Sequence, residues 1–207
     1  ISISLGAYNQ NDIDGTGVLC ETIDNARDAG VTVFVSAGNE AQRHYCGWYV
    51  DENGNGYHDF DTGDDLLSLG FLWAGTPIDL YLSWNDWPYS DQDYDLFLVR
   101  YNYGTGKIVA SSKNLQTGSQ PPTESIKFTV IIPDHYFVMI EKYNATEPVR
   151  FQLFSYYRNF LDNNHPETSI SCPADAAGAM TVGATYWEDD SLESFSSQGP
   201  TNDGRIK

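Results

Sequence analysis

The chain opens on alternation. Ile1, Ile3 and Leu5 are apolar and Ser2 and Ser4 polar, the two-residue period of a strand. Over residues 16–29 the period lengthens. Val18, Leu19, Thr22, Ile23, Ala26 and Ala29 fall three and four apart, which predicts a helix with one apolar stripe, stopped by Gly30. Residues 31–35, Val-Thr-Val-Phe-Val, are a β-branched run that predicts a second, buried strand. Strand, helix and strand in this order predict a βαβ unit with parallel strands.

From Gly47 the pattern changes. Short alternating runs stand at residues 66–73, 78–84, 94–101, 107–111, 125–132, 136–143 and 149–157. Turn-forming clusters separate them: Gly75-Thr76-Pro77, residues 102–106, 118–122 and 144–148. This spacing predicts an antiparallel β-sandwich without a strong helix. At Asn163-Asn164-His165-Pro166 the pattern changes back. Residues 179–185 predict a short apolar strand, and residues 194–200 a turn-rich segment. The expected fold class is α/β, a partial parallel sheet built from residues 1–46 and 163–207. Residues 47–162 are expected as an inserted all-β antiparallel sandwich.

Charge narrows the partners. Acidic residues outnumber basic ones 29 to 11, for a net charge of −18. That field argues against nucleic acid and against an anionic membrane surface, and suits a soluble chain or one that takes up cations. No apolar run approaches the roughly 20 residues that span a bilayer, so no membrane span is expected. Ile1 is not an initiating Met and follows no basic segment, so the chain reads as an excised piece without a signal peptide of its own. Cys20, Cys46 and Cys172 lack metal-ligand spacing, which leaves one bridge and a free thiol, or three reduced thiols. Asn144-Ala145-Thr146 is an N-glycosylation triplet.

Chemistry concentrates just past the second strand. Asn39 follows Gly38 beyond the carboxyl end of that strand, the end at which open α/β sheets bind ligands. A side-chain amide there either donates to a developing oxyanion or caps the next turn. Ser4-Leu5-Gly6, a helix, and then Val35-Ser36-Ala37-Gly38-Asn39-Glu40 form one set of motifs. Pro173-Ala174-Asp175-Ala176, Met180-Thr181-Val182-Gly183-Ala184-Thr185 and Phe195-Ser196-Ser197-Gln198-Gly199-Pro200 form a second. In order and spacing the two sets resemble the subtilases, the subtilisin-like serine proteases of peptidase family S8. The resemblance covers the two flanks only.

It implies a secreted serine endopeptidase as the parent, acting on a protein or peptide substrate. Asn39 would donate its amide to the tetrahedral intermediate. Ser4, Leu5 and Gly6 would offer backbone groups to an extended substrate, which adds as a strand. Ser36, Ala37 and Gly38 would wall the pocket for the side chain before the scissile bond. The family's order of Asp, His and Ser places two members of the triad before Ile1 and the third after Lys207. His44, His58, His135 and His165 stand in no matching context. The chain alone is therefore expected to be inactive, and to be completed by the remainder of the protease domain. Thr168-Ser169 mimics the nucleophile motif, but Glu167 replaces its glycine and Ala174 its histidine. Ser169 is rejected as nucleophile also because the segments that should precede it follow it. Cys46 and Cys172 bracket the insert, and the resemblance puts both near the pocket, which implies a disulfide between them with Cys20 a buried free thiol.

Within the insert, Asp51, Asn53, Asn55, Tyr57 and Asp59 alternate, with Gly56 at the turn. This resembles a Ca²⁺ loop, so Ca²⁺ is the cofactor suggested, although the chemistry requires none. The twelfth position is Thr62 rather than Glu, so that Asp61, Asp64 or Asp65 would have to close the shell; a plain acidic turn is the alternative reading. Residues 78–84 and 93–98 resemble the jelly-roll, pre-peptidase-type modules attached to secreted proteases. Asp79, Asp93 and Asp95 are expected to point outward. Trp84, Trp87, Tyr89 and Tyr94 are either sandwich core and edge or a stacking surface. The functional expectation is a piece of a secreted subtilisin-like endopeptidase whose insert controls substrate access. The alternative is a glycan- or protein-binding sandwich on a degenerate, non-catalytic scaffold.

Overall fold

The computed structural model describes residues 1–102 and 104–207; Tyr103, inside the turn expected at residues 102–106, lies outside the described residues. The chain divides into two units, Ile1–His44 with His165–Lys207, and Tyr45–Asn164.

In the first unit β1 (Ser2–Ile3), β2 (Val33–Ser36) and β11 (Ala179–Val182) form a three-stranded sheet in the order β1-β2-β11, all parallel. Helix α1 (Val18–Asp28) lies between the first two in sequence. It stops where the residues require. Gly30 takes φ +82°, its N–H bonds the carbonyl of Arg27, and the N–H of Val31 bonds that of Ala26. This paired closure needs a left-handed residue that glycine adopts at least cost. The apolar stripe packs only in part, through Ile23, and Cys20 outside the stripe joins it. Cys20 and Ile23 are buried, while Val18 is 77% exposed. The sheet likewise covers one face only: Val33, Val35 and Ala179 are buried, whereas Phe34, Met180 and Val182 are exposed.

The expected α/β class is thereby corrected. One 11-residue helix and parallel strands of two to four residues do not make an α/β core. Among the described residues the chain is nearly all β, and antiparallel sheets dominate it.

Eight strands build the second unit: β3 (His44–Trp48), β4 (Leu67–Leu72), β5 (Pro77–Trp84), β6 (Asp93–Asn102), β7 (Thr105–Ser112), β8 (Thr123–Thr129), β9 (Asp134–Asn144) and β10 (Arg150–Ser155). They form two four-stranded sheets ordered β3-β10-β5-β8 and β4-β9-β6-β7, the two-sheet winding of a jelly roll. Alternation sets the inner faces. Ile78, Leu80 and Leu82 of β5 are fully buried, and Leu96 and Leu98 of β6 face the same cluster with Ile140, Phe151 and Leu153. Each such side chain contributes about 1.5–3 kcal/mol by leaving water. Trp84 and Tyr94 are core residues, 5.6 Å apart edge to face, and Trp84 Nε1 donates to Ser90 Oγ at 3.1 Å. Of the four aromatics considered for stacking, Tyr89 is exposed.

Asp93 and Asp95 lie on the face of β6 opposite the core residues Tyr94, Leu96 and Leu98, as alternation expects, but they are buried and not solvated. Asp95 is satisfied by Lys113 Nζ at 3.1 Å. Burial, with Asp95 beside it, pushes the Asp93 carboxyl above its usual range.

Candidate functional site

The loop after β2 is fixed by one buried carboxylate. Glu40, 9% exposed, accepts the backbone N–H of Asn39 on Oε2 at 2.6 Å and the Ser197 hydroxyl on the same oxygen at 3.0 Å. Its Oε1 accepts the Tyr8 hydroxyl at 2.9 Å. Its own N–H donates to Ser197 Oγ at 2.9 Å, and Ser197 N–H donates to the Gly38 carbonyl at 3.0 Å. Gly38 sits at φ +112°, and a Cβ there would strike Glu40 Oε2 and Ser197 Oγ. Glycine is thus required twice over, by conformation and by space.

The clamp holds the backbone of Asn39 while its side chain stays exposed. Among the described residues the Asn39 amide has no hydrogen-bond partner, so it does not cap the turn that follows. Ser4, Leu5 and Gly6 are exposed just past β1, with Leu5 75% accessible. Ser36 ends β2, half-buried, and Ala37 is buried with its N–H on the Val182 carbonyl at 2.9 Å. Ala37 and Ser197 line a cavity of about 700 Å³ that also takes in Thr181, Gly183 and Gln198.

A second polar centre underlies the unit. Asp175, fully buried, accepts Asn11 Nδ2 at 2.7 Å and Gly15 N–H at 2.9 Å on Oδ2. The Cys20 thiol donates to its Oδ1 at 3.2 Å. Cys172 Sγ lies 3.7 Å from Cys20 Sγ. The Cys172 hydrogen bond, burial and then Asp175 hold the Cys20 thiol far above the usual range, as a neutral donor. The expected Cys46–Cys172 bridge is corrected: all three cysteines are free, and the neighbour of Cys172 is Cys20. Gln152 Nε2 contacts Cys46 Sγ at 3.5 Å.

Ser169 is fully buried; its hydroxyl donates to the Pro166 carbonyl at 2.5 Å and accepts Gln198 N–H at 3.0 Å, as a structural serine does. His44 Nδ1 lies 2.7 Å from the His165 carbonyl, and His165 N–H returns the bond to the His44 carbonyl at 2.8 Å. Burial lowers the affinity of the His165 ring for a proton. Sequence reasoning missed the roles of Glu40, Ser197, Tyr8 and Asp175. Only Glu40 had a local signal, an acid directly after Asn39.

In the second unit, Asp51, Asn53, Asn55, Tyr57 and Asp59 lie in the loop between β3 and β4. Burial pushes the Asp51 carboxyl up, but the N–H groups of Gly56 and Asn55 and the Tyr49 hydroxyl outweigh it and hold the group below the usual range.

The fold defined by these two units occurs in a protease. The whole chain superposes on the Clostridium perfringens CspB protease with a TM-score of 0.66 at 18% identity, covering 100% of this chain and 46% of that one. The chain thus spans about half the length of that protein, and at this identity the likeness shows the fold alone. No protein-family model matches the chain. No curated protein matches it. The assignment to the subtilases, with its pre-peptidase-type insert, is therefore corrected. A distant likeness in fold, a single short helix and a mainly β structure do not make the chain a fragment of that family. What stands is a structural likeness to a protease.

Proposed function

We propose that the chain is the substrate-binding part of an endopeptidase that works by acyl transfer, with Asn39 as a donor to the developing oxyanion. The observation that carries this reading is an exposed amide without a partner, on a loop whose backbone is locked by buried Glu40. A donor aimed in advance at charge that appears only in the transition state is what such catalysis needs. Ser4, Leu5 and Gly6 offer free backbone to an extended peptide, and Ser36, Ala37 and Gly38 border its side-chain pocket. The likeness in fold to a protease supports the same reading. The nucleophile and its base are supplied by other residues of the parent protein.

Asn39→Ala in the full-length protein is expected to lower kcat on a peptide substrate about 100-fold with KM within a few fold, because the donor acts on the transition state alone. A kcat within fivefold of the parent's would overturn the assignment. The jelly roll leaves the chain just after the Asn39 loop, and we assign it to control of access by large substrates. Deleting residues 47–162 is expected to change cleavage of folded proteins at least tenfold more than cleavage of short peptides; equal changes would count against this role.

A further inference from the structure

The loop between β3 and β4 carries chemistry that the proposed peptidase does not use. Residues 51–59 run Asp-Glu-Asn-Gly-Asn-Gly-Tyr-His-Asp. Asp51 accepts Asn55 N–H on Oδ1 and Gly56 N–H on Oδ2, both at 3.0 Å, and Asn55 Oδ1 accepts Tyr57 N–H at 2.8 Å. Any turn rich in Asp and Asn makes such bonds, and they do not call for a ligand.

Two other atoms do. Asp59 is 5% exposed; its Oδ2 accepts Glu52 N–H at 2.7 Å, and its Oδ1 is buried with no partner. Asp65 accepts Asn55 Nδ2 on Oδ2 at 2.7 Å, and its Oδ1 is also buried with no partner. The two carboxyl groups are direct neighbours, and the charge of Asp51 reaches Asp65 as well. Among the described residues no ion pair reaches Asp59 or Asp65. Two carboxyl groups in contact, out of water and without a basic partner, are relieved either by a proton shared between them or by a cation.

We propose that Asp51, Asp59 and Asp65, with the side-chain oxygens of Asn53 and Asn55 and the carbonyl of Tyr57, close around one Ca²⁺. Asp59 and Asp65 are already in contact, and Asp51 moves in on binding, since the three carboxylates do not all lie within 4.8 Å of one another. Every donor is a hard oxygen, and six of them of mixed type and reach suit Ca²⁺ better than the strict octahedron of Mg²⁺. His58 is not a ligand. The Val50 N–H donates to its Nδ1 at 3.2 Å, so Nε2 carries the proton and donates to Tyr45 Oη at 2.7 Å, and the ring packs on Phe60 and Phe151. That anchor fixes Asp59 against the core. Asp65 supplies the closing acid that Thr62 cannot.

The test is a titration of the EDTA-stripped chain with CaCl₂, and with Tb³⁺ read by luminescence sensitised from Tyr49, whose hydroxyl lies 3.2 Å from Asp51 Oδ2. Saturable binding in about the 10⁻⁵–10⁻³ M range is expected, with Ca²⁺ displacing Tb³⁺ and equimolar Mg²⁺ failing to. At 100 times its dissociation constant Ca²⁺ should lower the unfolded fraction about 100-fold. Asp59→Asn and Asp65→Asn should each weaken Ca²⁺ at least tenfold. Asp65 is the less buried of the two, so that D65N keeps the test valid if D59N fails to fold. No saturable binding up to 10 mM CaCl₂, or parental affinity in a folded D65N chain, would overturn the site.

Discussion

Replacing Asp175 by Ala is expected to destabilise the first unit by about 4 kcal/mol. The carboxylate is fully buried and serves three donors from one stretch far away in sequence: Asn11 Nδ2, Gly15 N–H and the Cys20 thiol. Its removal strands the Gly15 N–H and one hydrogen of the Asn11 amide away from water, at about 1–3 kcal/mol each, and leaves a void beside Cys20. The other hydrogen of that amide stays on the Thr16 carbonyl at 2.7 Å. Asp175→Asn should cost far less, about 1 kcal/mol. Its carbonyl oxygen keeps the two donors of Oδ2, and its NH₂ group faces the weakly accepting sulfur of Cys20. The readout is thiol labelling in a Cys46→Ser background. Cys20 and Cys172 are buried and react only when the unit opens. In Asp175→Ala labelling should run about 1,000-fold faster at pH 7, and in Asp175→Asn within about tenfold of the parent. Equal rates in both variants would mean that the carboxyl group does not hold these segments together.

The contrast between the two units explains what the sequence could and could not disclose. Strands β4 to β10 were legible because each carries its own period of two. The run at residues 78–84 and β5 (Pro77–Trp84) differ by one residue, and Ile78, Leu80 and Leu82 all point inward. Only β3 (His44–Trp48) was missed, since His44, Tyr45 and Cys46 break alternation and two of its first residues, His44 and Tyr45, are both buried. Period placed Asp93 and Asp95 off the core face but could not show that this face is also covered: β6 is buried on both faces, and Lys113, just past β7, satisfies Asp95. In the first unit the stripe Val18, Leu19, Thr22, Ile23, Ala26 and Ala29 promised a buried helical face, but of these only Ile23 is buried, and it packs with Cys20, which lies outside the stripe. Cys20 counts there through its bond to Asp175, 155 residues away. The candidate site divides the same way. Asn39 and its small neighbours stand in one short motif, whereas the lock on that motif joins Tyr8, Glu40 and Ser197, and no local pattern couples positions so far apart.

That lock sets the last expectation. Glu40→Ala in the full-length protein should lower kcat about 100-fold and reduce stability by about 3 kcal/mol. The carboxylate is the common acceptor for Asn39 N–H, the Ser197 hydroxyl and the Tyr8 hydroxyl, so its loss frees the loop at three points at once. On the role proposed for Asn39, its amide then samples positions away from the one where the oxyanion would form, and a displacement near 1 Å is worth about 100-fold in rate. Substrate binding as proposed along Ser4–Gly6 would not use that amide, so KM should change little. Glu40→Gln separates the two effects. Its carbonyl can take the place of Oε2 and keep Asn39 and Ser197, while its NH₂ group donates to Tyr8 Oη in a reversed bond, so kcat should return to within about tenfold of the parent. Ser197→Ala removes two bonds, to Glu40 Oε2 and from Glu40 N–H, and should fall between, since Asn39 N–H and the Tyr8 hydroxyl retain Glu40. The ordering expected in kcat is parent, Gln, Ser197→Ala and then Glu40→Ala. A Glu40→Ala protein with raised KM and unchanged kcat would show instead that the clamp shapes the peptide groove and leaves the orientation of Asn39 untouched.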